Sequence, residues 1–105
     1  MVNRRRHSRT WVRAPVEFTL WDPKQITFGF ATDVSIGGAF VETTFPSPSG
    51  SKIVLRLWWP GREEEVLLPS VVRWTGKGGM GVEFVSIGGP ETAAIRDLVG
   101  AAGLA

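Results

Sequence analysis

The sequence predicts an all-β domain, a six-stranded antiparallel β-barrel with a C-terminal α-helix. Three observations predict it. Six short segments carry strand composition, several alternating apolar and polar residues. Thirteen Gly and seven Pro in 105 residues supply turns between them and argue against long helices. Helical spacing appears only near the C-terminus.

Trp11 to Trp21 opens the series, with Val16, Phe18 and Leu20 on one side and Glu17 and Thr19 on the other. Asp22-Pro23 breaks it, and Ile26, Phe28 and Phe30 repeat the period of two as a hairpin partner. Asp33-Val34-Ser35-Ile36-Gly37-Gly38 is a turn-rich connector, after which Ala39 to Thr44 resumes strand composition. Phe45-Pro46-Ser47-Pro48-Ser49-Gly50 is a loop. Ile53, Leu55, Leu57 and Trp59 alternate again before Pro60-Gly61. Glu65 to Trp74 and Met80 to Val85 are the last two strands, separated by Gly76-Lys77-Gly78-Gly79. In the closing helix, Pro90 suits the first position and Glu91 the positive end of the dipole. Ala94, Ile95, Leu98 and Val99 form its apolar stripe, read as a lid on one barrel end. Ser-Ile-Gly-Gly occurs at 35–38 and again at 86–89, leading once into a strand and once into a helix, and is read as coincidence.

Composition is globular, 43% apolar and 21% charged, which excludes a disordered tail. With no Cys, disulfide scaffolds, zinc knuckles and cysteine nucleophiles are excluded together. The net charge of +2 hides an asymmetry. Residues 1–13 hold five Arg and no acid, +5, whereas the other 92 residues hold seven bases and ten acids, −3. The division expected is a basic arm over 1–10 and a barrel with its helix over 11–105. Such an arm calls for an anionic partner. No apolar run is long enough to span a bilayer, and Pro15, Glu17, Asp22 and Lys24 interrupt any secretory leader. A cytoplasmic protein is expected.

Catalysis has poor raw material. His7 is the only histidine, and nothing in the sequence brings it to a serine. Glu63-Glu64-Glu65 beside Arg62 reads as a solvated turn rather than a metal site. The Gly pairs lack the residues of a phosphate-binding loop. No enzyme and no resident cofactor are expected. Two segments carry more information. In Arg4-Arg5-Arg6-His7-Ser8-Arg9, guanidinium groups suit phosphate oxygens and the O6/N7 edge of guanine. Asp33 and Ser35, beside a glycine that allows φ > 0, are ordinary turn formers that cap backbone N–H groups.

Together and in this order, the segments resemble the PilZ domain family, whose members bind the bacterial second messenger cyclic di-GMP. Its motif RxxxR is met by Arg5 and Arg9, and (D/N)xSxxG by Asp33, Ser35 and Gly38. Val71-Val72-Arg73-Trp74 and Gly79-Met80-Gly81-Val82-Glu83-Phe84 look like the family's closing hairpin, so the resemblance runs from about Arg4 to Phe84. RxxxR also fits Arg9 with Arg13. Arg13 belongs with strand one and should be fixed on the barrel wall, whereas Arg5 and Arg9 lie on the approach to it.

The resemblance implies that this approach wraps the nucleotide, with Arg5 and Arg9 on guanine edges and phosphates. Asp33 and Ser35 would then contact the bases, and Gly38 would admit close approach. It also makes Arg4 a candidate contact to a second, intercalated ligand, giving two cyclic di-GMP per chain. Trp74 would serve either to stack on a base or as a core residue. The expected function is a stand-alone cyclic di-GMP receptor that signals to a partner protein, with no membrane insertion and no specific nucleic acid. Two alternatives remain. One is a PilZ-like adaptor that binds no nucleotide, against which the intact motifs speak. The other is a small nucleic-acid-binding barrel, against which the acidic remainder of the chain speaks.

Overall fold

Residues 12–20 and 26–104 are described in the computed structural model. The six strands are β1 (Ala14–Leu20), β2 (Thr27–Ser35), β3 (Gly38–Glu42), β4 (Lys52–Leu57), β5 (Val66–Gly76) and β6 (Gly79–Phe84), followed by α1 (Gly89–Leu104). They close into a barrel in the order β1-β2-β3-β6-β5-β4. Every neighbouring pair is antiparallel, and β1 closes on β4 with Val16 opposite Leu57 and Leu20 opposite Ile53. Closure leaves no unpaired sheet edge, which is how so small an all-β chain avoids edge-to-edge association.

The period of two read from the sequence is the inside–outside alternation of this barrel, except that the apolar period at Phe28 and Phe30 lies on the outer face of β2, with Phe28 66% exposed and Ala31 inward instead. Val16, Phe18, Ile53, Leu55, Leu57, Leu68, Val72, Met80 and Val82 all point inward and are buried. Each such side chain contributes on the order of 1.5–3 kcal/mol when fully buried. Ala94, Ile95 and Leu98 of α1 are buried with them and Val99 packs alongside, so the apolar stripe docks on the barrel as expected. The helix rests on β2 and β5. Its start is a capping interaction: Glu91 Oε1 accepts from the Gly88 N–H at 2.7 Å, the reach-back of an acid at the third helical position. Pro90 therefore sits second in the helix, not first as its spacing suggested.

The segment 33–38 differs more. It is not a connector: β2 runs on to Ser35 and β3 starts at Gly38, leaving Ile36 and Gly37 as the whole turn. Ser35 pairs with Gly38, and a bulge between Thr32 and Ser35 takes up one extra residue. Asp33 lies in that bulge with φ 51°. Aspartate is among the few side chains that tolerate this left-handed conformation, so a turn-forming residue stands inside a strand. Likewise β5 continues past Trp74 to Gly76, and β4 ends at Leu57, with Trp59 packing on the core beyond it. Between β5 and β6, Lys77 and Gly78 have φ 52° and 84°, the positive pair that a two-residue hairpin favours. The repeated tetrapeptide has two backbones, Ser35 in a strand and Ser86 at φ 55°.

Candidate ligand-binding site

The turn after β2 is built around one hydroxyl. Ser35 is buried, and its Oγ accepts from the Gly37 N–H at 3.2 Å and lies 3.5 Å from the Gly38 carbonyl oxygen. The same turn is tied to β6, because the Phe84 N–H donates to the Gly37 carbonyl at 3.0 Å. Gly38 completes it by close packing. A Cβ there would stand 2.2 Å from the Val82 carbonyl oxygen, so only glycine lets β3 approach β6 this closely. The tightest demand on Gly38 thus comes from the barrel itself. Asp33 is half-buried, two residues before Ser35 at the bulge.

Across the outer wall, the register aligns Thr32 of β2, Phe40 of β3, Gly81 of β6 and Trp74 of β5 in one row. Trp74 is 48% exposed, so it is not a core residue and the second of its two sequence readings falls away. Its ring lies 5.5 Å from that of Phe40 at an interplanar angle of 26°, a stacked pair. Phe40 was not singled out from the sequence, and its proximity to Trp74 depends on β3 pairing with the distant β6. Gly81 faces Trp74 across the closing hairpin that the sequence showed, but its register against the indole was not legible.

Arg13, one residue before β1, is fixed on the barrel wall as expected. Its guanidinium lies 3.7 Å from the centroid of the Phe30 ring and 3.4 Å from Glu42 Oε1, which holds it on the barrel wall. Next to Trp74, Arg73 Nε donates to Glu83 Oε1 at 2.8 Å across β5 and β6. Arg56 pairs with Glu65 at 3.2 Å and Glu17 at 3.5 Å, while Glu63 and Glu64 are exposed in the loop. Among the described residues no cluster of His, Cys, Asp and Glu has the geometry to hold a metal ion. Nor is any described helix long and apolar enough to cross a membrane. Of the expected ligand contacts, Asp33, Ser35 and Gly38 are brought together at the β2–β3 turn, and Trp74 joins the same wall through Phe40. Arg4, Arg5 and Arg9 lie outside the described residues, as does the proposed boundary between arm and barrel.

Solved structures that share this architecture include the following three. The PilZ domain of CeSA from a cellulose-synthesizing bacterium is 25% identical with a TM-score of 0.73, and the alignment covers 89% of this chain and 95% of that one. The Bacillus subtilis inhibitor of motility MotI/DgrA is 20% identical with a TM-score of 0.71, over 98% of this chain and 51% of the other. The PilZ domain of YcgR from Escherichia coli, solved with c-di-GMP, is 15% identical with a TM-score of 0.75, over 97% and 93%. No curated protein matches the sequence. The family model described as PilZ domain spans residues 3–101, nearly the whole sequence, and with the closed barrel and its terminal helix alongside that match, the chain belongs to the PilZ domain family.

Proposed function

We propose that this chain is a cyclic di-GMP receptor, non-catalytic and without a resident cofactor, that passes the signal to a partner protein. The observation that supports it most is the β2–β3 turn, where Ser35 braces the backbone, Gly38 admits close packing and Asp33 is held at the bulge. These are the three residues of the second family motif, and the exposed indole of Trp74 shares their wall. In this reading Arg5 and Arg9 supply charge-assisted bonds to phosphates and guanine edges, Asp33 and Ser35 contact the bases, and Trp74 stacks on one of them.

A stacked pair of ligands carries four negative charges, and Arg4, Arg5, Arg6 and Arg9 balance them. Two ligands per chain are therefore proposed. The proposed compartment is the cytoplasm, with neither membrane insertion nor sequence-specific nucleic-acid binding. Calorimetric titration of the purified protein with cyclic di-GMP tests the reading. Two ligands per chain, with binding weakened by added salt, is the expected result. No heat at high micromolar ligand would refute receptor function and favour the adaptor. Submicromolar binding of an oligonucleotide at physiological salt, undiminished by excess cyclic di-GMP, would favour the nucleic-acid reading.

A further inference from the structure

The wall that carries Trp74 contains an unusual bare strip. On β6, Met80 and Val82 point inward, so Gly79 and Gly81 present plain backbone on the outer face. A Cβ at Gly81 would stand 2.2 Å from Trp74 Nε1 and 2.4 Å from Cε2. A Cβ at Gly79 would stand 2.7 Å from the Phe40 Cζ. The two rings therefore lie down on the glycine strip and stack against each other there. Gly81 is buried although it faces outward, because the indole covers it.

We infer that Gly81 is a positioning residue for base stacking: its missing side chain is the seat that holds the Trp74 indole flat against β6, with Phe40 as the lateral support. The identity of the ligand rests on the cyclic di-GMP reading; the seat does not. An indole fixed in this way offers its outer face to a purine without first losing rotamer freedom, and that preorganisation strengthens stacking. With a methyl group at Gly81, the indole swings off the strand. It is half-exposed and has room to do so, so the barrel stays closed while the stacking face is lost.

The test is a double-mutant cycle of Gly81→Ala and Trp74→Ala, read by calorimetry with cyclic di-GMP and by the indole N–H resonances of the five tryptophans. Base–aromatic stacking of the usual strength predicts about tenfold weaker binding for Trp74→Ala and about fivefold for Gly81→Ala. In the double variant Gly81→Ala should add nothing to Trp74→Ala, since the glycine acts only through the indole. Wild-type affinity in Gly81→Ala, or a full fivefold further loss in the double variant, would overturn the proposal. If Gly81→Ala fails to give a folded spectrum, Phe40→Leu takes its place in the cycle with the same expectations. If the wild type does not bind cyclic di-GMP, receptor function falls and the seat is judged from the spectrum alone. The Trp74 indole signal must then shift more in Gly81→Ala than the other four, and an unmoved Trp74 signal would refute it.

Discussion

Replacing Gly38 by alanine measures how tightly β3 closes on β6. The added Cβ would lie 2.2 Å from the Val82 carbonyl oxygen and 3.3 Å from the Glu83 Cα. Carbon–oxygen contacts are comfortable from about 3.3 Å, so the two strands must part locally by about 1 Å. Both obstructing atoms are backbone, and no side-chain rotation relieves the clash. Overpacking of this kind costs about 1–3 kcal/mol. The neighbouring Phe84 N–H bond to the Gly37 carbonyl, 3.0 Å long, shares the strain, and its loss adds about 1 kcal/mol. A total of about 2–4 kcal/mol lowers the Tm of a domain this size by roughly 10–25 °C. Thermal unfolding followed by circular dichroism reads this directly. Gly89→Ala is the control, because a Cβ there meets nothing within 4 Å. A Gly38→Ala variant melting within about 4 °C of wild type, a shift worth 1 kcal/mol or less, would refute the close-packing account and return the glycine to ligand contact alone.

Ser35→Ala removes the acceptor of the Gly37 N–H and should cost about 1 kcal/mol, seen as a Tm drop of about 4–8 °C, together with weaker cyclic di-GMP binding. An unchanged Tm would show that the hydroxyl does not hold the turn. Arg5→Ala or Arg9→Ala should weaken cyclic di-GMP binding about tenfold to a hundredfold in calorimetry, each removing charge-assisted bonds, with no change in melting. Arg13→Ala should do far less to affinity, because that guanidinium is already engaged by Phe30 and Glu42. Equal losses at Arg9 and Arg13 would mean that the motif is the Arg9/Arg13 pair. Ile95→Ala empties a fully buried site under the helix and should destabilise by about 2–5 kcal/mol in denaturant unfolding. A cost below about 1 kcal/mol would mean that α1 is not an integral part of the core.

By itself the sequence determined what depends on neighbours along the chain. Alternation at Val16/Phe18, Ile53/Leu55/Leu57 and Met80/Val82 marks strands because one face of each must be buried. The stripe of Ala94, Ile95 and Leu98 marks the lid for the same reason at a different period. The motif residues Asp33, Ser35 and Gly38 were legible too, but their local chemistry was misleading. Turn-forming side chains suggested a loop, where a strand with a bulge carries two of the three. Only the tertiary structure decided that β3 lies beside β6 and that β1 closes on β4. It alone placed the Val82 carbonyl against Gly38, Phe30 and Glu42 against Arg13, and Phe40 and Gly81 under the indole of Trp74. All but the Gly81–Trp74 contact, which lies within one hairpin, join segments far apart in sequence, and all are set by strand order and register. A side-chain period fixes which face of a strand is buried, but not which strand lies next to it.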